Sequence, residues 1–317
     1  MKKVFIVISC IGLILSGCNS GTNAATTPSQ NADTKIQNGI PVEDQMLNSM
    51  VPLIYATQYN EDGKPYGTIC TGTVISANKI LTAAHCVLDM KKKPRGQVYS
   101  VNNLTNPSSI RIIFNKDKNT PLNLATQNPD NWEIYNVKTT FVHPEAFRGA
   151  TVLKSGDLKI YDVDQLNDIA ILEISNTLNP RKYSSANLPD PATIGITPKT
   201  KLTIIGYGID SGKEVEVSDF FNGASGALRY AVSKIYDIHG SYIYVYGKLD
   251  PVLGYTKICQ GDSGGADLIK SDNQYTIIGI HSFGDGRGCG KSGSPSASLN
   301  VMHYLDWIND NYLTQHI

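Results

Sequence analysis

Residues 257–268 read KICQGDSGGADL: a serine among glycines, with Cys259 and Asp262 just upstream. Gly, Asp and Ser are turn residues, so taken alone the run describes a tight turn between strands. An isolated serine hydroxyl is a poor nucleophile. It needs a base within hydrogen-bond reach and a third group that holds the base in one tautomer. Two other stretches carry those side-chain types, LTAAHC (81–86) with His85 and NDIAILEI (167–174) with Asp168, so the chain order is histidine, aspartate, serine.

Outward from that turn the chain reads as β-structure. VPLIYATQY, GTVISANKILTAAH, SIRIIF, DIAILEI, KLTIIGYG, GSYIYVYG and YTIIGIHSFG are short runs rich in Val, Ile, Thr and Tyr, broken by Gly, Pro, Asn and Asp. A helical period emerges only at the end, where Val301, Tyr304, Leu305, Ile308 and Tyr312 fall on one face of NVMHYLDWINDNYL. The pattern predicts an antiparallel all-β protein, barrel or sandwich, closed by one amphipathic helix. Polar, Pro-bearing stretches between His85 and Asp168, DMKKKPRGQ (89–97) and NKDKNTPLNLATQNPDNW (115–132), are read as surface loops. GYGIDSGKEVEVSDFFNGASG (206–226) is read as a mobile loop.

With 317 residues, 41% of them hydrophobic, the chain can bury a large core. Lys plus Arg balances Asp plus Glu at 28 each, so no overall basic field attracts nucleic acid. Lys2 and Lys3 precede an apolar run from Val4 to Leu15 that is too short for a permanent span and has the layout of a secretory signal. Its end, LSGC, resembles the bacterial lipoprotein box, which implies a signal peptide over residues 1–17, lipid on Cys18 and export to a bacterial membrane or cell surface. Residues 18–35 lack large apolar side chains and read as a flexible tether or propeptide.

Of six cysteines, Cys10 leaves with the signal and Cys18 is the lipid site, so Cys70, Cys86, Cys259 and Cys289 enter an oxidising compartment. Four cysteines allow three pairings, of which Cys70–Cys86 with Cys259–Cys289 closes short loops worth about 3 kcal/mol each. No Cys-x-x-Cys or histidine cluster has zinc-ligand spacing, so neither metal nor cofactor is expected.

TAAHC, DIAIL and CQGDSGG, in that order, resemble the chymotrypsin and trypsin family of serine proteases over roughly residues 36–313. The resemblance implies two six-stranded antiparallel β-barrels with the active site between them, the catalytic domain occupying residues 36–317. It implies His85 as base and acid, Asp168 as its orienter, Ser263 as nucleophile, and the N–H groups of Gly261 and Ser263 as an oxyanion hole. It also implies activation by cleavage of Lys35–Ile36, the new ammonium pairing with Asp262. Lys257 stands where trypsin-like members carry an aspartate. With His281, where the family's glutamate-cleaving bacterial members also carry histidine, Lys257 suggests a cationic pocket for an acidic side chain. Ser282, Phe283 and Gly284 align with the strand that pairs with substrate. Expected partners are protein or peptide substrates and an activating protease, with the membrane reached only through lipid at Cys18. A different class of function, a protease-like binding or adhesive module without turnover, uses the same fold; the intact His, Asp, Ser and glycines favour catalysis.

Overall fold

An antiparallel sheet of β-branched runs buries its apolar face either by curling on itself or by packing on a second sheet. The computed structural model describes residues 36, 39–59, 65–91, 100–115, 132–147, 151–152, 158–159, 166–208, 227–246, 249–250, 254–255, 258–284 and 295–313. Two antiparallel sheets account for most of them.

The first sheet contains β1 (Leu53–Tyr59), β2 (Pro65–Thr71), β3 (Thr73–Ser76), β4 (Lys79–Thr82), β5 (Ile110–Asn115), β6 (Trp132–Val142) and β7 (Ala170–Ile174). Their spatial order is β2-β1-β5-β6-β7-β4-β3. The two edges, β2 and β3, are halves of one run bent at Gly72, so this curled sheet is joined end to end by the chain itself. Only glycine fits the bend, since a Cβ there would lie 2.6 Å from Ile80 and 2.9 Å from Ile54. Ladder closure, expected for both barrels, is found in the second.

The second sheet contains β8 (Lys201–Gly206), β9 (Arg229–His239), β10 (Tyr242–Tyr246), β11 (Ala266–Ser271), β12 (Gln274–Phe283) and β13 (Ser296–Asn300). The order β9-β8-β11-β12-β13-β10, with β10 pairing back onto β9, closes a six-stranded barrel; the short strand Ile40–Pro41 pairs with the first residues of β9. One apolar cluster runs through both sheets, from Leu53, Ile80, Leu81 and Leu172 to Ile280 and Leu299. Each such side chain, fully buried, contributes roughly 1.5–3 kcal/mol.

The C-terminal helix is α2 (Leu305–Leu313), preceded by a 3-10 turn at Val301–Tyr304; Val301 and Ile308 are fully buried, as the helical period anticipates. Lys79, only 2% exposed, donates from Nζ to the Asn311 carbonyl and so satisfies a backbone acceptor near the helix end. Of the two stretches read as loops, residues 89–97 begin inside a hairpin of Leu88–Lys91 with Ser100–Leu104, and the last residue of 115–132 starts β6. Residues 209–226, most of the loop read as mobile, lie outside the described residues.

A short helix unseen in the sequence, α1 (Gln45–Met50), is capped by Asp44, whose Oδ1 accepts from the Met46 N–H at 2.9 Å. Asp44 Oδ2 accepts from the Tyr275 hydroxyl at 2.8 Å and from Lys270 at 3.2 Å, tying α1 to the β11–β12 hairpin. Partial burial pushes this carboxyl up, but the hydrogen bonds from Tyr275, Lys270 and the helix amides prevail and hold it below its ordinary value. A depressed folded-state value adds stability that is present above the unfolded-state value and lost as pH falls through the folded one. Asp44→Ala is expected to cost about 1 kcal/mol at neutral pH in denaturant unfolding. Wild type and variant should converge in acid, and a gap that stays constant there would refute this role for Asp44.

Candidate active site

The register of β7 against β4 pairs Ala170 with Thr82, so the residues just before Ala170 and just after Thr82 emerge side by side at one end of the sheet. Those residues include Asp168 and His85. Asn167 takes a left-handed conformation, φ 43°, and donates to the Glu145 carbonyl at 3.3 Å, which fixes the entry to Asp168. On the other side, His85 sits in the 3-10 turn Ala84–Cys86, and a disulfide from Cys86 to Cys70 fastens that turn to β2.

Asp168 is 1% exposed, and its carboxylate is filled with donors. Oδ1 accepts from the His85 backbone N–H at 2.9 Å, and Oδ2 from His85 Nδ1 at 2.7 Å and the Ser282 hydroxyl at 2.6 Å. With Nδ1–H committed to the carboxylate, Nε2 is the nitrogen left to exchange protons. Burial pushes the His85 imidazole down, but the charge of Asp168 and its hydrogen bond prevail, and the net shift is upward from 6.5. Ser282, which the resemblance aligns with the strand that pairs with substrate, completes the Asp168 shell with its hydroxyl. Phe283 packs on Tyr242 at 5.4 Å between ring centroids, and Gly284 is exposed.

Ser263 lies on a turn whose backbone is almost wholly committed. Gly261 and Gly264 have φ of 91° and 78°, conformations that L side chains rarely adopt. A Cβ on Gly264 would also fall 2.0 Å from Thr82 Oγ1. Asp262 is fully buried, Oδ1 accepting from the Gly208 N–H at 2.7 Å and Oδ2 from the Cys259 N–H at 2.8 Å. The Ser263 carbonyl accepts from the Thr71 N–H at 2.8 Å and lies 3.6 Å from Cys86 Sγ, next in sequence to His85. Among the described residues the Ser263 hydroxyl itself makes no hydrogen bond, so its contact with His85 is open in this structure, as catalytic contacts without substrate commonly are.

Thr71 was not singled out from the sequence, where a threonine in a β-run reads as an ordinary strand former. It is fully buried between the sheets; its hydroxyl donates to the Gly261 carbonyl at 2.8 Å and accepts from the Tyr207 N–H at 3.0 Å. His281, expected to face a substrate carboxylate, is fully buried: its Nδ1 is 3.2 Å from the Asp262 carbonyl and its Nε2 3.2 Å from Asp267 Oδ1. Both ring nitrogens are thus engaged. The contact with His281 also accounts for Asp267, a carboxylate among the apolar Ala266, Leu268 and Ile269.

Cys259 is disulfide-bonded, while its expected partner Cys289 lies outside the described residues, as do Cys18, Lys35 and Lys257. Ile36 is fully buried in the apolar cluster of Leu202, Ile204, Ile235 and Ile278. Cys70, His85 and Cys86 place potential metal-binding atoms within 4.8 Å of one another, but the two sulfurs are spent on their disulfide.

The Trypsin family model matches residues 36–308, spanning both sheets and every element of this site. The chain belongs to the trypsin family. It is 25% identical over 260 residues to the human protein "Chymotrypsin-like elastase family member 1", covering 82% of this chain and 86% of that one. It is 25% identical to "Urokinase-type plasminogen activator" of Gallus gallus, over 77% of this chain, and 27% identical to "CLIP domain-containing serine protease B15" of Anopheles gambiae, over 75%. The match spans only 50% and 60% of the lengths of those last two relatives.

In this trypsin-family chain Thr71→Val keeps the shape of a β-branched side chain but leaves the Gly261 carbonyl and the Tyr207 N–H without their bridge. It is expected to lower unfolding stability by about 1–3 kcal/mol, the cost of unmade buried hydrogen bonds. Thr71→Ser, which keeps the hydroxyl, should recover most of that loss. Equal stability of Val and Ser variants would show that the bridge carries no energy.

Proposed function

We propose that the chain is a serine endopeptidase working through an acyl-enzyme. The observation that carries this reading is the buried Asp168 carboxylate 2.7 Å from His85 Nδ1, beside a glycine turn that presents Ser263. Ser263 Oγ attacks the scissile carbonyl carbon while His85 Nε2 takes the hydroxyl proton. The oxyanion is met by the N–H groups of Gly261 and Ser263, each such donor worth about 3 kcal/mol of transition-state stabilisation. The imidazolium, held by Asp168, returns the proton to the leaving amine. Water then repeats the sequence on the acyl-serine and releases the carboxylate product.

Activation by cleavage of Lys35–Ile36 fits the burial of Ile36 in the second barrel's apolar cluster and the buried backbone cradle of Asp262, which offers a fixed negative partner for a new ammonium. Preference at the residue before the scissile bond rests on Lys257. A lysine in place of the aspartate that trypsin-like members carry repels Arg and Lys and suits Asp or Glu. A chain that disfavours lysine does not cut its own Lys35–Ile36 bond, so a separate protease performs the activation. Lipid on Cys18 holds the precursor at a bacterial membrane, and the cut frees the catalytic domain.

A serine-directed phosphonate should label Ser263 after cleavage at Lys35, and His85→Ala should abolish the labelling and lower kcat on the order of 10⁴-fold or more. No labelling of the cleaved protein would leave the silent binding module as the surviving reading. Active protein should begin at Ile36 by N-terminal sequencing, and a peptide library should be cut after Asp or Glu; cuts mainly after Arg or Lys remove the acidic preference.

The raised His85 value sets two opposite pH trends. Catalysis needs the neutral imidazole, so the acid limb of kcat/KM should lie above the ordinary histidine value. The stability contributed by protonated His85 is fully present below the unfolded-state value and is lost as pH rises through the folded one. Activity should therefore climb while this part of the stability declines, and Asp168→Asn should move the acid limb downward. An acid limb at the same pH in both proteins would break the link to Asp168.

A further inference from the structure

The nucleophile turn has a second histidine–carboxylate pair behind it, and it is sealed from solvent. His281 on β12 and Asp267 on β11 are both 0% exposed. Gly279 stands opposite Asp267 in the register, and a Cβ there would lie 2.4 Å from Asp267 Oδ2. The glycine leaves room for the carboxylate to lie across β12 towards His281, two residues further on the same face. Oδ1 then meets His281 Nε2 at 3.2 Å, while Oδ2 has no hydrogen-bond partner among the described residues. A buried carboxylate this sparsely satisfied is costly, and apolar residues of similar volume are commonly as stable or more so. Stability alone therefore does not account for the pair.

His281 holds the turn at three points. Its N–H donates to the Gly265 carbonyl and its carbonyl accepts from the Gly264 N–H, each at 2.8 Å. Its Nδ1 is 3.2 Å from the Asp262 carbonyl, which can only accept, so Nδ1 carries the hydrogen. That carbonyl belongs to the same planar trans peptide as the Ser263 N–H and points the opposite way. The same carbonyl also accepts from the Gly265 N–H at 2.8 Å, so His281 is the second of two donors that fix it from behind and with it the direction of the N–H in front. A hydrogen bond to the carbonyl also polarises the peptide and makes the N–H a better donor.

We propose that His281, held in place by Asp267, is a positioning residue that aims the Ser263 N–H at the reacting oxygen. The proposal rests on the endopeptidase reading for its kinetic consequence, though not for its structural one. Asp267→Leu combined with His281→Leu removes the pair and leaves an apolar interior. Asp267→Leu combined with His281→Asn removes the charge but returns an amide N–H near the place of Nδ1. Measured on the full chain after cleavage at Lys35, the Leu/Leu variant should keep its Tm near wild type and lose kcat by about 10- to 100-fold with KM little changed, a donor misaimed rather than lost. The Leu/Asn variant should regain most of the kcat. Wild-type kcat in a folded Leu/Leu variant, or no recovery with Asn, would overturn the proposal; if Leu/Leu fails to fold, Leu/Asn against wild type decides it.

Amide hydrogen exchange over residues 261–265 provides a readout independent of turnover, and it should quicken in Leu/Leu and not in Leu/Asn. If wild type itself shows neither phosphonate labelling nor turnover, the endopeptidase reading fails while exchange still decides the positioning role. Unchanged exchange in Leu/Leu would remove it.

Discussion

Asp168 is where the two sheets are obliged to meet. A carboxylate at 1% exposure survives as an ion only if hydrogen bonds replace its water, and here the donors come from opposite sides. The first sheet supplies the His85 N–H and ring, and the second supplies the Ser282 hydroxyl. Sliding one sheet against the other by an ångström or two would strip a donor from a buried charge, a loss of several kcal/mol in a molecule whose whole stability is of that order. The disulfide from Cys86 to Cys70 and the left-handed Asn167 act on the same point, since each removes a way for His85 or Asp168 to relax away from the other.

The nucleophile turn poses the complementary problem of backbone satisfaction. Residues 261–265 lie between sheets, inside the core, and cannot complete a ladder of their own. Their carbonyls and amides are met piecemeal: Gly261 O by the Thr71 hydroxyl, Asp262 O by the Gly265 N–H and His281 Nδ1, Ser263 O by the Thr71 amide, Gly264 N–H and Gly265 O by the His281 backbone. Thr71 comes from the first sheet and His281 from the second. The turn is consequently fixed from both sides, while the Ser263 hydroxyl makes no hydrogen bond among the described residues, so the rigidity lies in the backbone and not in the reacting atom.

Much of this was legible in the residues. β-branched runs marked the strands, the helical period marked α2, and three short motifs placed His85, Asp168 and Ser263. The failures share a cause. Of Trp132–Val142 only Trp132, Val137 and Thr140 are buried, without the alternation that marks a strand, so only its pairing with β5 and β7 reveals its length. Thr71 looks like any strand threonine until a chain segment 190 positions away brings it a carbonyl. His281 carried a family association with substrate, yet the orientation of its ring depends on Asp267 and on a glycine opposite that carboxylate. Register decides such contacts, and no short window of sequence contains the register.

The two histidine–aspartate pairs show how little the residue types settle on their own. His85 keeps 24% of its side chain exposed and has Nε2 free to trade protons, so pairing with Asp168 gives it the character of a base. His281 has no exposure and both nitrogens committed, so the same pairing makes it a strut. In the first pair the carboxylate is saturated with donors and the imidazole is left incomplete. In the second the imidazole is saturated and the carboxylate is left incomplete. The unfilled hydrogen-bonding capacity marks the difference: in the first pair it belongs to a partly exposed imidazole, and in the second to a carboxylate with no exposure.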